Sequence, residues 1–394
     1  MASTTAPEER DLDARRRWAG AGLAELTGAP DGPALGPPAG LVPRLDVVIG
    51  RIGRASEALG RVVEVDGLAE LAMRTGELQL RRRGRVSCGG ACHLVRAVDG
   101  WLAVSLARPD DWSLLPAWLG LDGGEADRWP EVHERCAGRS VGELVAAGSV
   151  LGLPLAALPA AAPPPTRVPG ADPVAATGAA RTAPSARRAD DLVVVDLSSM
   201  WAGPLCGAVL ARAGARVLKV ESAGRRDGAR RGPVGVWDHL NGAKEDVVVD
   251  VSDAVGRDEL IAVLRRADVV VEASRPRALA QLGIDVDRIL AADGGPAVWV
   301  SITGHGRRGR AAERVAFGDD AAVGGGLVAR WEGDPVFCAD AVADPLTGLV
   351  AAAGALEALA AGRRGLLDVP MVAVAAHFAA YGPTGGPPAP EPVT

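Results

Sequence analysis

Asp344-Pro345 stands at the head of an Ala- and Leu-rich run, 346–361, whose apolar residues recur at helical spacing. An aspartate followed by proline makes a good helix N-cap with proline in the first turn. The same position suits a carboxylate that must stay ionised, because the partial positive charge of a helix N-terminus stabilises it. Cap and reactive carboxylate are both open roles here. A second constellation is the turn Ser198-Ser199-Met200-Trp201-Ala202-Gly203-Pro204, which follows a β-branched run and precedes a helix. A strand–turn–helix unit of this kind binds a dinucleotide when its turn reads G-x-G-x-x-G, so that backbone can approach the pyrophosphate. This turn has one central glycine, which disfavours NAD even though Glu221 closes the following strand.

Other reactive side chains are scattered. Cys88, Cys92, Cys136, Cys206 and Cys338 form neither a CxxC pair nor a Cys/His set with zinc spacing, so no metal is expected and the thiols read as reduced. Cys206 reads as a small buried residue on an apolar helix face. Arg81, Arg82, Arg83 and Arg85 read as a solvated basic turn, and His305 in TGHGRRG as a solvated histidine after a strand.

These residues need a scaffold, and 191–221 predicts its first unit. Leu192 to Val195 is too apolar to keep one wet face and reads as a strand of a parallel sheet. A helix from Pro204 stops at Gly214, and Val217 to Val220 begins the next strand, giving a right-handed βαβ unit. Further alternation follows: strand 246–251, helix 256–266, strand 268–272, helix 285–291, strand 297–302, the helix after Asp344, and a strand-like LLDVPMV. That rhythm predicts an α/β fold, a Rossmann-like parallel sheet with helices on both faces.

Upstream, 94–106 alternates around Asp99-Gly100 as a β-hairpin with a type I′ turn. Two helices are expected after it, one carrying Trp112, Leu115 and Trp118, the other over 141–147. Residues 161–190 are rich in Pro, Ala and Gly and poor in large apolar side chains, the composition of a linker. The division that follows is 1–80 mainly helical, 81–160 a second, smaller α+β domain, 161–190 linker, 191–380 the Rossmann-like domain and 381–394 a disordered tail.

At 394 residues and 48% hydrophobic composition, the chain can bury a large core. No uninterrupted apolar run reaches the ~18 residues of a membrane helix, and the charged start MASTTAPEERDLDARRRW does not read as a signal peptide. A cytoplasmic protein with no membrane partner is expected. A formal charge of −6, with 43 basic residues interspersed among 49 acidic ones, argues against a nucleic-acid partner.

Several blocks of the second half, in order, resemble the family III CoA-transferases and their sister α-methylacyl-CoA racemases. They are VVDLSSMWAGPLCGAVLARAGARVLKVE, LNGAKEDVVVDV, ADVVVEASRPRALAQLGID, VWVSITGHGRRG and ADPLTGLVAAAGALEAL, together covering 191–365. CGGACHLVRAVDGWLAVSLARPDDW and GLPLAAL resemble the second half of the same family, and GLAELTGAPDGPALGPP resembles its segment just upstream of the catalytic acid. The small-domain-like part therefore precedes the large one, a permuted order. The resemblance implies a Rossmann-like domain beside a small α+β domain, in a homodimer that in this family is interlocked.

It also implies a reaction. CoA passes from an acyl-CoA donor to a carboxylic acid acceptor through an aspartyl anhydride and an aspartyl-CoA thioester, with CoA as cosubstrate and no permanently bound cofactor. The family nucleophile is the aspartate of a D-x-x-x-G motif opening a helix, here Asp344, with Asp340 as its rival and Asp46 a remoter one. Implied CoA contacts are Met200 and Trp201 in the first turn, Ser222 after the second strand, where some relatives carry arginine, Val249 and Asp250 after the third, and Ala273 and Ser274 after the fourth. Arg225 or Arg226 could stand in for the arginine lost at 222, and Arg275 and Arg277 are candidate phosphate partners. Gly89 and Gly90 match a glycine loop over the active site, or else simply lead the hairpin. The racemases carry a histidine in a G-H-D block, and Gly318-Asp319-Asp320 stands there instead. Transferase is thus favoured over racemase, since α-proton exchange needs two acid–base groups. A CoA-binding paralogue without activity is the third reading.

Overall fold

Apolar alternation around Ala97-Val98-Asp99-Gly100 folds into antiparallel strands β1 (Cys92–Ala97) and β2 (Gly100–Ser105), and β3 (Leu155–Ala157) pairs along the other side of β2. The computed structural model describes residues 7–121, 128–161 and 188–379. Because Ala97 pairs with Gly100, the two-residue turn is Val98-Asp99, one position earlier than the sequence predicts. Neither residue has positive φ, which excludes the predicted type I′ geometry. Where two helices are expected after the hairpin, the described residues hold four: Pro109–Ser113, Leu115–Leu119, Trp129–Ala137 and Val141–Val150. Pro116 has no N–H to give, so the first expected helix is cut in two. The helix at 129 buries only Trp129, Val132 and Cys136, a stripe too short to stand out in sequence.

The larger sheet contains β4 (Val193–Asp196), β5 (Arg216–Ser222), β6 (Glu245–Val249), β7 (Val269–Glu272), β8 (Val298–Thr303) and, after the small antiparallel pair β9 (Ala329–Trp331) and β10 (Asp334–Val336), β11 (Gly365–Pro370). Its order is β11-β8-β7-β4-β5-β6 and every pairing is parallel. The chain runs outward from β4 to β6, then returns to the other side of β4 to add β7, β8 and β11. Order therefore reverses between β4 and β7, and the crevice at the C-terminal ends of those two strands is where open parallel sheets bind ligands.

Successive strand residues feed opposite cores. Val194, Val217, Val269, Val271 and Val300 face one apolar cluster, while Val195, Val220, Val270 and Trp299 face the other, packed under the 254–266, 276–281 and 286–291 helices. Such two-sided burial explains why these strands read as continuous apolar runs. The first cluster also takes in Trp18, Leu45, Ile52 and Leu71 from the N-terminal helices. Helix Leu41–Ala58 lies along helix Ala343–Ala360 and is tied to it by Arg51, whose two nitrogens reach the Glu357 carboxylate at 2.7 and 2.8 Å. Ala343–Ala360 is the one described helix long and apolar enough to cross a membrane, and 78% of it is buried inside the protein. Residues 162–187 of the predicted linker and the predicted tail 381–394 lie outside the described residues. A further helix, Met371–Ala379, follows β11 where the sequence reads only as strand.

Gly348 is the glycine that follows Asp344 in D-x-x-x-G, and its role here is close packing. A Cβ at this position would lie 2.5 Å from the Ala202 carbonyl oxygen and 3.0 Å from the Leu205 Cβ of the facing helix. Both neighbours belong to the tightly packed first helix of the βαβ unit and cannot retreat far. Gly348→Ala is expected to cost about 1–3 kcal/mol by overpacking. Gly142→Ala, on an exposed helix surface with nothing within 4 Å, is expected to be neutral or mildly stabilising. Urea unfolding of the two variants checks the contrast; equal midpoints would show that the helix pair can give way.

Candidate active site

The turn after β4 is fixed from beneath by two buried ion pairs. Asp196, wholly buried, receives Lys244 Nζ at 2.8 Å and the Ser198 N–H at 2.9 Å. Lys219, also wholly buried, reaches Asp227 at 3.0 Å and donates to the Ser198 carbonyl. The Asp227 carboxylate in turn accepts the Met200 N–H at 3.1 Å. Burying charge is costly unless each group is paired, and here every member has a partner. The result holds Met200 in a left-handed conformation, φ 72°, with its side chain half exposed at the sheet's C-terminal edge.

The predicted CoA contacts distribute along that edge. Met200 and the Ala273-Ser274-Arg275 segment leave the ends of β4 and β7, either side of the order reversal, and Ala273 and Arg275 are exposed. Ser222 starts a tight turn in which the Arg225 N–H bonds back to its carbonyl at 3.1 Å, leaving Arg225 exposed. Arg226 is taken by Glu221 at 3.0 Å. Glu221 also binds Arg230 and the Asp227 N–H, and although burial opposes it these partners hold its carboxyl low, at about 2. Trp201 is buried under the Arg74 guanidinium rather than standing on the surface, and Val249 is buried too. Asp250 accepts from the Ser252 backbone and hydroxyl at 2.9 and 2.6 Å, a local turn role. Arg277 pairs with Glu313 at 3.3 Å, both well exposed.

Asp344 does not cap its helix, contrary to one of its two sequence readings. The helix opens at Ala343 with Val342 at the cap position, so Asp344 lies inside the first turn. Its side chain is free for another role, and it keeps a partly accessible surface. The Gly318 N–H donates to it, and a Cβ on Gly318 would fall 2.4 Å from the Ala341 carbonyl oxygen and 2.5 Å from Asp344 Oδ2, so only glycine fits there.

Around Asp344 gather Asp319, Asp320 and Asp340. Asp319 is anchored by the Ala341 N–H at 3.0 Å, and Asp320 by the Phe317 N–H at 2.9 Å. Asp340, 2% exposed, faces Arg74 Nε at 3.2 Å. Ala339 and Ala341, flanking it, both have positive φ, at 56° and 43°. Left-handed alanine is strained by roughly 1–2 kcal/mol each, the kind of strain that clusters at functional sites. The N-terminal part of the chain holds it: Thr27 Oγ1 accepts the Ala339 N–H at 3.1 Å, and the Cys88 thiol donates to the Ala339 carbonyl at 3.5 Å.

Crowding by burial sets the protonation of this cluster. Burial, opposed by Arg74 and reinforced by Asp340, pushes the Asp344 carboxyl up to about 7. Asp319 is likewise pushed up to about 7 by burial and by Asp340, and Asp340 and Asp320 are raised as well, mainly by burial. Carboxyls poised near neutrality can act as either acid or nucleophile at physiological pH.

The glycine loop follows directly from this geometry. Cys88, which precedes Gly89 and Gly90, is raised by burial and then by the Asp340 and Asp319 charges, so the loop lies beside the carboxylates. Gly89 is exposed and Gly90 takes φ 83° against the Arg83 side chain. Arg81, Arg83 and Arg85 of the basic turn are exposed, as the sequence predicts, and Arg82 and Arg85 pair with Glu25 at 2.8 Å and Asp334 at 3.0 Å. One other sequence expectation needs correction. His305 is not solvated: its Nε2 is buried without a hydrogen-bond partner, and burial pulls the imidazole down to about 4. Asp46 is removed from contention by Arg17, which grips it at 2.7 and 2.8 Å on the surface. Arg74 carries no sequence signal, and Thr27 none beyond its place in the family-like segment 22–38, because they meet Asp340 and Ala339 only in the tertiary fold.

Residues 190–385, which include the parallel sheet and the Asp344 helix, are matched by the family model CoA-transferase family III. Over those residues the chain belongs to CoA-transferase family III. Curated proteins similar to it include an acyl-CoA transferase of Fusarium pseudograminearum, 31% identical over 43% of this chain and 41% of that protein. Another is a succinyl-CoA–D-citramalate CoA-transferase of Chloroflexus aurantiacus, 30% identical over 44% and 45%. A CAIB/BAIF family protein from Brucella suis is a solved structure with 26% identity and a TM-score of 0.43, matched over 50% of this chain and 55% of that one. The chain spans about half the length of the curated relatives it matches.

Proposed function

We propose that this protein transfers CoA from an acyl-CoA to a carboxylic acid, with Asp344 as the nucleophile. The observation that carries the reading is a half-buried Asp344, not engaged as a cap, its carboxyl raised to about 7 by burial and bonded by the Gly318 amide inside a helix's first turn. An Asp344 oxygen attacks the thioester carbonyl, the C–S bond breaks, and an acyl-aspartyl anhydride forms with release of CoA thiolate. The thiolate then attacks the aspartyl carbonyl, freeing the donor acid and leaving an aspartyl-CoA thioester. The acceptor carboxylate attacks that thioester in turn, and the returning thiolate takes the acyl group and restores Asp344. The Gly318 amide, already on the Asp344 carboxyl, is the donor on hand for an oxyanion developing there. CoA itself would lie along the sheet edge, with Met200 as an apolar contact and Arg225 and Arg275 as exposed cations for its phosphates.

The permuted order and a homodimer belong to the same reading. Thr27, Arg74 and Cys88 all touch the Ala339–Ala341 segment, which supports a chain whose order is changed while its site is assembled in cis. Incubation with a panel of acyl-CoAs, quenching with hydroxylamine or borohydride, and peptide mapping should mark Asp344. Asp344→Ala should carry no mark. CoA binding without any mark would remove the transferase reading.

Asp319 favours one second reading. It stands where the racemases have histidine, and its carboxyl is raised to about 7 beside Asp340 and Asp344. Two carboxyls of matched proton affinity can remove and return an α-proton. Exchange of the α-proton of an acyl-CoA in deuterated buffer, without CoA transfer, would favour it.

A further inference from the structure

Arg74 lies between helices Gly67–Ala72 and Thr75–Leu78, outside the 190–385 segment that matches the family. Its side chain makes two contacts. The guanidinium carbon stands 5.0 Å from the centroid of the Trp201 ring, and Nε faces the Asp340 carboxylate at 3.2 Å. Trp201 is itself buried at the head of the helix that packs on Gly348. A guanidinium stacked on an aromatic face and paired with a carboxylate is held far more firmly than a surface arginine. We infer that Arg74 is a positioning residue for the Asp344 carboxylate, with its charge and its hold on Asp340 keeping Asp344 ionisable in an otherwise acidic recess. This inference rests on the transferase reading for its consequence in turnover, while the placement of Arg74 against Asp340 and Trp201 stands on geometry.

The charges around Asp344 show why one cation matters. From the 318–324 helix come Asp319 and Asp320, and from the segment before its own helix comes Asp340. The thiols of Cys88 and Cys92 approach from the glycine loop and β1, and Cys338 adjoins Cys88; burial holds all three as neutral thiols. Arg314 is near Asp320 and is spent on the Leu155 carbonyl, 2.6 Å away. Arg74 is the positive charge felt in common by Asp319, Asp340 and Asp344. Without it, Asp319, Asp340 and Asp344 would face one another with only the backbone amides on Asp319 and Asp344 to favour ionisation, and the nucleophile would spend more of its time protonated.

The test uses the full chain with Arg74→Met and Arg74→Lys. The carbon-13 shift of the Asp344 carboxyl, assigned by difference from Asp344→Asn, is followed from about pH 5 to about pH 9, alongside the pH dependence of CoA transfer. In Arg74→Met both midpoints should rise together by about one to two pH units, so that the rate near pH 7 falls roughly five- to fifty-fold and recovers in alkali. Arg74→Lys should restore most of the loss, since it keeps the charge and loses only the stacked fork. An unmoved carboxyl midpoint in folded Arg74→Met would overturn the inference, and Arg74→Gln serves if the methionine variant does not fold. Wild-type protein that never turns over an acyl-CoA would sink the transferase reading alone, because the carboxyl titration still decides whether Arg74 sets the charge on Asp344.

Discussion

Asp344→Asn is expected to reduce CoA transfer by on the order of ten-thousand-fold or more, the scale of losing a covalent nucleophile. The amide is isosteric and still accepts the Gly318 N–H, so the helix start and the Gly318 contact should survive. On the proposed mechanism, what is lost is the oxygen pair that attacks the thioester and carries CoA as an aspartyl thioester. Binding of CoA along the sheet edge should change little. Stability should rise or hold at neutral pH, because a carboxyl driven up to about 7 by burial is replaced by a group with no charge to bury. Retention of more than about a tenth of the activity would move the nucleophile elsewhere, with Asp340 next in line for the same substitution. Equal loss in both variants would point to the cluster acting as a unit.

The second large effect concerns stability against pH. Asp344 and Asp319 are raised to about 7, from near 4 in the unfolded chain, so the native state binds protons more tightly than the unfolded state between those values. Their stabilising contribution is therefore complete below about pH 4 and lost as pH rises through about 7. At about 1.4 kcal/mol per pH unit, the loss is at most about 4 kcal/mol for each carboxyl. Glu221 acts in the opposite sense: held at about 2, it contributes stability above its unfolded value that disappears only in stronger acid. Urea unfolding should accordingly show greatest stability in mild acid, near pH 5, and a fall of several kcal/mol by about pH 8. Asp319→Asn should flatten that fall and raise stability at pH 8 by about 1–3 kcal/mol. Stability that is flat or climbs between about pH 5 and pH 7.5 would mean that the carboxylates ionise without penalty.

Such penalties are tolerated because the surrounding structure is rigid. The strained Ala339 and Ala341 are clamped by Thr27 and Cys88, Asp340 by Arg74, and the β4 turn by the Lys219–Asp227 and Lys244–Asp196 pairs. Pre-organisation of this sort lets an acidic recess persist without local collapse.

Sequence by itself determined the parallel sheet, since strands buried on both faces must be largely apolar, and residues 193–195, 269–271 and 298–300 are continuously so. It also singled out Asp344, because a carboxylate ahead of a long apolar helix is a local pattern. Whether it caps that helix was decided only by the helix starting one residue earlier, at Ala343, which backbone geometry sets. The hairpin turn slipped by one residue for a similar reason: register in a two-residue turn depends on pairing with β3 and the packing of both strands, not on an Asp-Gly dipeptide alone. Burial decided the fate of Trp201, Val249 and His305, none of which carries its exposure in its type. The carboxylate cluster and its counter-charge were tertiary outcomes altogether. Arg74 and Asp340 stand far apart in the chain, and charge pairing at that range leaves no periodic trace, so it exists only once the N-terminal helices have closed over the end of the sheet.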